Sequence, residues 1–434
     1  MATGSSPSAR SRSASARATS VLPTPVGPKI AMMPAGAVTR GSIVRRVSVH
    51  IATGLSTTPD ARAGALEAAS AAARGLGELS CDLVVMFASG AHLAAPDTTL
   101  AAVHEMLAPA TLIGCGAGGV ISDAREIEAG TAVSVWAASF GDGEVLPFHA
   151  TVEELEEGSG ALSGLPDLEG AAGAILLADP FSFPTDAVLR FLSEASPVLP
   201  LLGGVASART ADNGPALFFG DEVVDGGAVG VRLDGVEVLP CVSQGAAPIG
   251  PELTITAADG HVIGELAGKP ALSKLREAID GLSQEDRDLV DGGLLMGIVV
   301  DNNKPDYLQG DFLVRGLVGA DPETGEVAVG TEVRPGQVVR LHARDASGAD
   351  RDLHRSLGIR MQALGGRRPA GALVFACNGR GAGMFGSPDH DAEAITAELA
   401  GAPAAGFFAA GEIGPVGGEY FLHTFTATVA VFAR

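Results

Sequence analysis

Aromatic side chains are scarce in this chain: 434 residues include one tryptophan, two tyrosines and 16 phenylalanines. Small apolar residues and 59 glycines must therefore form much of the interior, which favours helices packed close to sheets. No run of about 18 apolar residues is free of charges and of Gly or Pro, so the sequence predicts no membrane span. The chain is long enough for two or three domains, each with its own core.

Cysteine is also rare, and the four cysteines are Cys81, Cys115, Cys241 and Cys377. They are far apart and form no CxxC pair, which argues against a zinc knuckle or a disulfide scaffold. The nine histidines show no HExxH spacing, and residues 301–303, although rich in oxygen ligands, lack the spacing of an EF-hand. We therefore predict reduced thiols, no metal, no cofactor and a cytoplasmic location.

Acidic residues are missing from the first 59 positions, which hold seven of the 29 basic residues. All 51 acidic residues follow from Asp60 onwards, and the whole chain has a net charge of −22. A chain with this much negative charge repels nucleic acid and anionic membranes. We therefore predict neither as a partner.

Residues 1–41 are rich in Ser, Ala, Arg and Pro and show no apolar periodicity. This composition predicts a disordered tail, or an extension from a misassigned start with Met32 or Met33 as the true first residue. A third interpretation is a transit peptide, because the segment is Arg- and Ser-rich and free of acids. In each case we expect the folded body to begin after residue 41.

One sequence pattern then occurs three times. Each copy has a short apolar run, a polar or Gly-rich loop, an amphipathic stretch, a second apolar run ending in glycines, and a third β-rich run. The first runs lie at residues 83–87, 175–178 and 373–376. A repeated β-α-β-β unit predicts a mixed α/β (α+β) fold. We expect a layered αββα sandwich, with sheets packed face to face and helices outside.

The predicted organisation is a tail at 1–41, an N-terminal domain at 42–235 and a C-terminal domain at 236–434. No segment between 235 and 300 has the composition of a flexible linker, so the two halves are predicted to pack together. A Glu-rich stretch near 152–160 is interpreted as a polar connection. Pro270 suits the first turn of a helix that continues through the following residues.

The segment richest in polar groups follows the first strand of the third copy. Its glycines let backbone N–H groups approach an anion, and an arginine among them can pair with a carboxylate or phosphate. A second glycine turn, with a glutamate, follows the next strand, and the first copy has a comparable strand end. The predicted ligand-binding residues are Cys377, Asn378, Gly379, Arg380, Gly381, Glu412, Gly114 and Cys115.

Other interpretations of these residues remain open. The segment is neither a P-loop nor a dinucleotide fingerprint, and it could be a tight turn in which Glu412 holds Arg380 in a structural salt bridge. As a binding site, Arg380 and Glu412 together suit an amino-acid-like zwitterion better than a phosphate. Cys377 could be a nucleophile if a base such as His390 or His423 lay near, but no spacing rule joins them, so no catalytic residue is predicted.

Several motifs give the chain a family likeness. In the C-terminal half these are residues 243–251 (SQGAAPIGP), 265–272 (ELAGKPAL), 311–315 (DFLVR), 377–381 (CNGRG) and 411–415 (GEIGP). In the N-terminal half they are the predicted strand after Cys81 and residues 112–121 (LIGCGAGGVI) and 201–204 (LLGG). With these motifs the chain resembles the FIST family, whose FIST-N and FIST-C halves also occur in some eukaryotic F-box proteins. The likeness covers residues 43–434.

The resemblance implies a sensory protein that binds a small ligand, with amino acids among the suggestions, and acts in signal transduction. It supplies no established catalytic residues, so we expect no enzyme. No fused output or F-box module is recognised, so a separate signalling protein is the expected partner. A protein-interaction scaffold without a small ligand is the first alternative, and an enzyme that uses Cys377, Arg380 and Glu412 is the second.

Overall fold

The computed structural model describes residues 48–156, 159–195, 199–290, 292–307 and 309–434. The described residues belong to one compact unit. The predicted tail, residues 1–41, lies outside the described residues, and the domain division at 235/236 stays a prediction.

The first repeat contains six strands and two helices: β1 His50–Ser56, α1 Ala61–Leu76, β2 Leu83–Ser89, α2 Pro96–Leu107, β3 Thr111–Gly116, β4 Val120–Ser122, β5 Arg125–Ile127 and β6 Ala132–Ser139. The α1 helix begins where the Asp60 carboxylate accepts a hydrogen bond of 2.8 Å from the Ala63 amide. A Cβ atom at Gly54 on β1 would lie 1.9 Å from the Ala68 carbonyl oxygen of α1. Small residues therefore set the close helix-to-sheet spacing.

The second repeat has the elements β7 Glu144–Glu156, β8 Ser159–Ser163, β9 Gly173–Ala178, α3 Thr185–Ala195, β10 Leu201–Val205, β11 Leu217–Phe219, β12 Glu222–Val224 and β13 Ala228–Asp234. The interpretation of residues 152–160 as a polar connection is wrong, because β7 and β8 pair through part of this stretch. Val152 lies opposite Leu162 across the pair, and both pack against a buried apolar cluster. The burial of this cross-strand pair stabilises the two strands although residues 152–160 are acidic.

The third repeat begins with β14 Val238–Gln244 and is then interrupted by an inserted sheet. The insertion contains β15 Ala246–Asp259, β16 Val262–Leu266, β17 Lys269–Pro270, α4 Ala271–Asp280, α5 Gln284–Val290, β18 Leu294–Val299, β19 Phe312–Ala320, β20 Val327–Val329 and β21 Val338–Arg344. The repeat resumes with α6 Ala346–Ala363, β22 Pro369–Cys377, α7 Ala382–Phe385, α8 His390–Glu398, β23 Ala404–Ala409, β24 Gly411–Val416, β25 Glu419–His423 and β26 Thr426–Ala433. The predicted helix after Pro270 is present as α4, and Pro270 itself occupies the N-cap position, one residue before the first turn in which it was predicted.

Three sheets share one plan. Their orders are β1-β6-β2-β3-β11-β12, β8-β7-β13-β9-β10-β24-β25 and β14-β26-β22-β23-β4-β5. Each sheet contains one pair of parallel neighbours joined through helical sequence, and these pairs are β2–β3, β9–β10 and β22–β23. The common order confirms the prediction of three copies of one unit. The inserted sheet is different, with the order β15-β21-β18-β19-β20-β16-β17.

The last two strands of each of these three sheets come from another repeat. The β4–β5 hairpin of the first repeat pairs with β23 of the third. The β24–β25 hairpin of the third repeat pairs with β10 of the second, and β11–β12 of the second pairs with β3 of the first. The exchange is cyclic, so every repeat both gives and receives a hairpin.

The inner faces of the three sheets meet in one apolar core. Phe87 of β2 stacks on Phe407 of β23 with ring centroids 4.9 Å apart, and Trp136 of β6 lies 5.1 Å from Phe432 of β26. The outer faces of the sheets are covered by α1 and α2, by α3, and by α6 and α8, in separate clusters. A mixed α/β fold with sheets packed face to face and helices outside is confirmed, and three sheets rather than two share the core.

Candidate functional site

The predicted ligand site begins at the end of β22. Its last residue, Cys377, lies opposite Ala409, the last residue of β23, in a parallel pair. Because parallel strands end at the same edge of a sheet, the loops after them leave side by side. The Asn378 amide donates a hydrogen bond of 3.1 Å to the Ala409 carbonyl, and Glu412 follows as the second residue of β24. The structure therefore brings together the two polar segments of the third copy.

Loops of the other two repeats reach the same edge. The Gly118 amide donates a hydrogen bond of 2.9 Å to the Ser207 hydroxyl oxygen, and that hydroxyl donates to the Phe408 carbonyl. A Cβ atom at Gly118 would lie 4.0 Å from the Asn378 side-chain oxygen. One loop from each repeat thus contributes to a single polar cluster. We name it the glycine-loop site; it comprises residues 118, 207, 377–381 and 412.

Arg380 is the largest polar side chain buried in this site, at 1% exposure. Its Nε and Nη2 atoms donate hydrogen bonds of 2.6 and 3.0 Å to the two carboxylate oxygens of Asp391 on α8. Burial alone would raise the pKa of Asp391, but the charge of Arg380 and the hydrogen bonds from His390 and Arg380 together outweigh it and lower that pKa to about 2. The carboxylate paired with Arg380 is therefore Asp391 rather than Glu412. The Arg380 Nη1 atom has no hydrogen-bond partner among the described residues.

Glu412 lies fully buried beside the end of β22. Its Oε2 atom accepts hydrogen bonds from the Thr426 hydroxyl and amide at 2.8 and 3.2 Å, while Oε1 has no partner among the described residues. Burial raises the pKa of the Glu412 carboxyl, which favours its uncharged form. Burial also raises the pKa of the Cys377 thiol to about 11, so its reactive thiolate form is disfavoured.

His390 and His423, the two histidines considered as bases for Cys377, make contacts with other groups. His390 Nδ1 is 3.1 Å from an Asp391 oxygen, and its Nε2 is 3.2 Å from Asp350. The hydrogen bond to Asp391 raises the pKa of His390. His423 Nε2 is 3.0 Å from the Gly414 carbonyl, and burial lowers the pKa of His423 to about 4. These contacts do not support either histidine as a base for Cys377, so they do not support Cys377 as a nucleophile.

The exchanged β4–β5 hairpin contributes two glutamates that the sequence did not reveal. Glu128 accepts a hydrogen bond of 2.8 Å from the Ala382 amide, and Glu126 accepts one of 3.0 Å from the Ala392 amide. A Cβ atom at Gly381 would lie 2.6 Å from a Glu128 carboxylate oxygen, so a larger residue there would displace this glutamate side chain. The first repeat therefore fixes the loop that carries Arg380.

Glu126 provides a test of this packing through pH. Burial raises its pKa from 4.5 to about 7. Between those values the folded protein holds a proton that the unfolded chain has lost, so the free energy of unfolding falls as pH rises through this window. Glu126→Gln keeps an acceptor for Ala392 and removes the titration. We expect thermal melts at pH 5 and pH 8 to show a smaller loss for this variant, by on the order of 1–3 kcal/mol.

The matched control for this experiment is Glu78→Gln, because Glu78 is an exposed glutamate outside this cluster. It should lose stability between pH 5 and pH 8 as the unchanged protein does. Equal pH dependence of the two variants would contradict the role given to Glu126.

An exposed arginine stands beside the glycine-loop site. The Arg344 guanidinium carbon lies 4.2 Å above the centre of the Phe425 ring, and a Cβ atom at Gly379 would be 3.9 Å from Arg344 Nη2. No ion pair joins Arg344 to another described residue, although the chain is strongly acidic. Sequence reasoning missed it because Arg344 ends a strand of the insertion, 33 positions before Cys377.

The motif at residues 243–251 contacts both the inserted sheet and the glycine-loop site. The Gln244 side chain donates to the Phe312 carbonyl at 2.6 Å and accepts from the Gly310 amide at 3.0 Å. A Cβ atom at Gly245 would lie 3.0 Å from Arg380 Nη1 and 2.3 Å from the Phe425 carbonyl oxygen. The motif therefore joins the inserted sheet to the strand end that carries Arg380.

Gly114 and Cys115 lie on β3, within the sheet rather than in a loop. They are opposite Phe218 and Leu217 of β11. Cys115 is part of the three-sheet core, and burial raises the pKa of its thiol well above the usual value. The residue of this copy that approaches Asn378 is Gly118. The assignment of Gly114 and Cys115 to a ligand site stays a prediction.

Within the described ranges, no group of three His, Cys, Asp or Glu residues has the arrangement of a metal site. Residues 301–303 form a turn, in which Asp301 accepts a hydrogen bond of 2.9 Å from the Asn303 amide. None of the helices in the described part of the chain combines the length and apolarity that a membrane span requires.

Fold and site together define a mixed α/β protein of three hairpin-exchanging repeats with a shared polar loop site. The sequence matches the FIST N domain over residues 82–269 and the FIST C domain over residues 271–415. The chain belongs to the FIST family, whose domains are sensory domains of signal transduction and are in general not catalytic.

Mycobacterial proteins are similar along nearly their whole length. The uncharacterized protein Mb0898c of Mycobacterium bovis is 43% identical over 386 residues, which cover 88% of this chain and 99% of the relative. The uncharacterized protein Rv0628c of Mycobacterium tuberculosis is likewise 43% identical over 386 residues, covering 88% of this chain and all of the relative.

Proposed function

We propose that this chain is a cytoplasmic sensor that binds a small amino-acid-like ligand at the glycine-loop site and signals through a separate protein. The sensory class of its domains supports this proposal. The observation that carries it is the junction of three repeats at one polar cluster. A ligand held there contacts loops from all three repeats, so its binding energy can change how they pack.

Arg344 is better placed than Arg380 to bind the ligand carboxylate. Two nitrogen atoms of Arg380 are occupied by Asp391, and the residue is buried. Arg344 is exposed, and it stacks on Phe425 beside Gly379. In this proposal Arg380 and Glu412 position the loop, while Arg344 and the exposed Asn378 contact the ligand. An arginine can pair with a carboxylate through two parallel hydrogen bonds.

The contacts of Cys377 count against the enzyme alternative. A catalytic cysteine needs a lowered pKa, and the burial of this thiol has the opposite effect. The scaffold alternative makes a different prediction, namely that no small molecule stabilises the protein.

The test is a thermal-shift screen of the full chain against the twenty protein amino acids, followed by native mass spectrometry. We expect at least one amino acid to raise Tm and to appear as a 1:1 complex. Arg344→Gln should weaken that complex by about ten- to a hundredfold, because a charge-assisted contact in a binding site contributes roughly 1.5–3 kcal/mol.

Arg74→Gln is the matched control, since Arg74 is an exposed arginine in the last turn of α1. It should leave the complex unchanged. If no amino acid binds at millimolar concentration, the proposed ligand class is wrong and the scaffold alternative is favoured. If one binds equally well to Arg344→Gln, the ligand lies elsewhere.

A further inference from the structure

A large cavity among the described residues lies away from the glycine-loop site. Its volume is 810 Å³, within the range of small-molecule pockets. Three segments form its walls: the loop after β9, the α3 helix and the β7–β8 hairpin. The main apolar side chains in the walls are Phe181, Phe183, Val188, Phe191, Leu162 and Leu165.

The lining of this cavity carries no charge. Its one side chain with a hydroxyl is Ser182, which donates to the Asp179 carboxylate at 2.7 Å and accepts from the Gly227 amide at 2.9 Å. The hydroxyl is therefore already satisfied by the protein. In a chain with a net charge of −22, an uncharged concave surface of this size selects an apolar occupant.

Two phenylalanines at this cavity are exposed to solvent. Phe181 is 74% exposed and Phe191 is 56% exposed. They are the exposed phenylalanines of the described chain, and both line the same cavity. Such a concentration of exposed aromatic surface marks a place that a ligand or partner covers.

A positively charged side chain, Arg209, lies at the edge of this exposed aromatic surface. The Arg209 guanidinium carbon lies 4.5 Å above the Phe181 ring. Its buried Nε atom has no hydrogen-bond partner, and no ion pair joins Arg209 to another described residue. Arg209 can thus pair with an anionic group whose apolar part lies against Phe181.

From these observations we infer that the cavity binds an acyl chain with a carboxylate end, the chain between the α3 helix and the β7–β8 hairpin and the carboxylate at Arg209. The uncharged lining selects the chain, and the unpaired guanidinium selects the anionic end. This inference does not depend on the glycine-loop site, because the two sites share no residue.

The experiment is calorimetric titration of the full chain with dodecanoate, below the concentration at which it forms micelles. Saturable binding with one molecule per chain is expected. Ala187→Trp places a large side chain in the cavity from an exposed position of α3, and it should weaken binding by at least about tenfold. Ala101→Trp, at an exposed position of α2, is the matched control and should bind as the unchanged protein does.

The anionic end is tested separately by comparing dodecanoate with dodecanol. Arg209→Gln should weaken dodecanoate binding by roughly tenfold and leave dodecanol binding unchanged. Arg344→Gln should affect neither molecule, which separates this site from the proposed amino-acid site.

Absence of saturable dodecanoate binding would overturn the inference. So would equal binding by Ala187→Trp and Ala101→Trp, because the molecule would then adsorb elsewhere. Equal loss of dodecanoate and dodecanol affinity in Arg209→Gln would overturn the role given to its charge. Circular dichroism melts of all variants establish that each is folded before its binding is compared.

Discussion

Residues 48–235 and 236–434, produced as two separate polypeptides, are expected to be insoluble or to lack cooperative unfolding. The first polypeptide would lack the β24–β25 hairpin that pairs with β10. Its own β4–β5 hairpin would lack β23. Both polypeptides would expose unpaired strand edges and one side of the three-sheet core, and such edges promote aggregation.

The measurement is solubility and thermal unfolding of each half alone and of the two halves produced together. Co-production should restore a soluble complex, because the exchanged hairpins can then pair between chains. This control separates the loss of partner strands from the effect of cutting the backbone. Two halves that are separately soluble and melt cooperatively would show that the exchange adds little stability.

Asp391→Asn is expected to destabilise the protein by about 3–5 kcal/mol, the usual cost of leaving one charge of a buried pair without its partner. Arg380 and Asp391 are 1% exposed each. Asparagine has nearly the same size as aspartate, so the change removes charge without leaving a cavity. Urea unfolding monitored by the fluorescence of Trp136, the single tryptophan, would measure the difference.

The control for the buried pair is an exposed one. Arg62 on α1 contacts both carboxylate oxygens of Glu105 on α2, at 3.0 and 2.7 Å, and both side chains are more than half exposed. Glu105→Gln should therefore cost less than about 1 kcal/mol. A cost for Asp391→Asn no larger than that of Glu105→Gln would show that Arg380 and Asp391 contribute little to the fold.

The repeats could be predicted from the sequence because each depends on local patterns, namely short apolar runs and amphipathic stretches. The apolar runs at 83–87, 175–178 and 373–376 each became a fully or largely buried strand, and the Ala-rich stretch after Asp60 became α1. The hairpin exchange could not be predicted in this way. Three-residue strands such as β4 and β11 have almost no periodicity of their own, and their partners lie in other repeats.

The candidate site was predicted in part for a related reason. Cys377, Asn378 and Arg380 are neighbours in sequence, and Glu412 follows the adjacent parallel strand, so the topology of one repeat brings them together. Asp391, Glu126 and Arg344 reach the site from α8, from another repeat and from the insertion. Their positions depend on tertiary packing, which leaves no spacing rule in the sequence.

The cyclic exchange of hairpins also sets an order of events during synthesis. Ser122 of β4 pairs with Ala405 of β23, 283 positions later. At roughly 5–20 residues per second, a ribosome takes about 15–60 s to cover that distance. The β4–β5 hairpin is therefore made long before the strand that completes its sheet. Until β23 emerges, the nascent chain exposes apolar surface that the complete fold buries in the shared core.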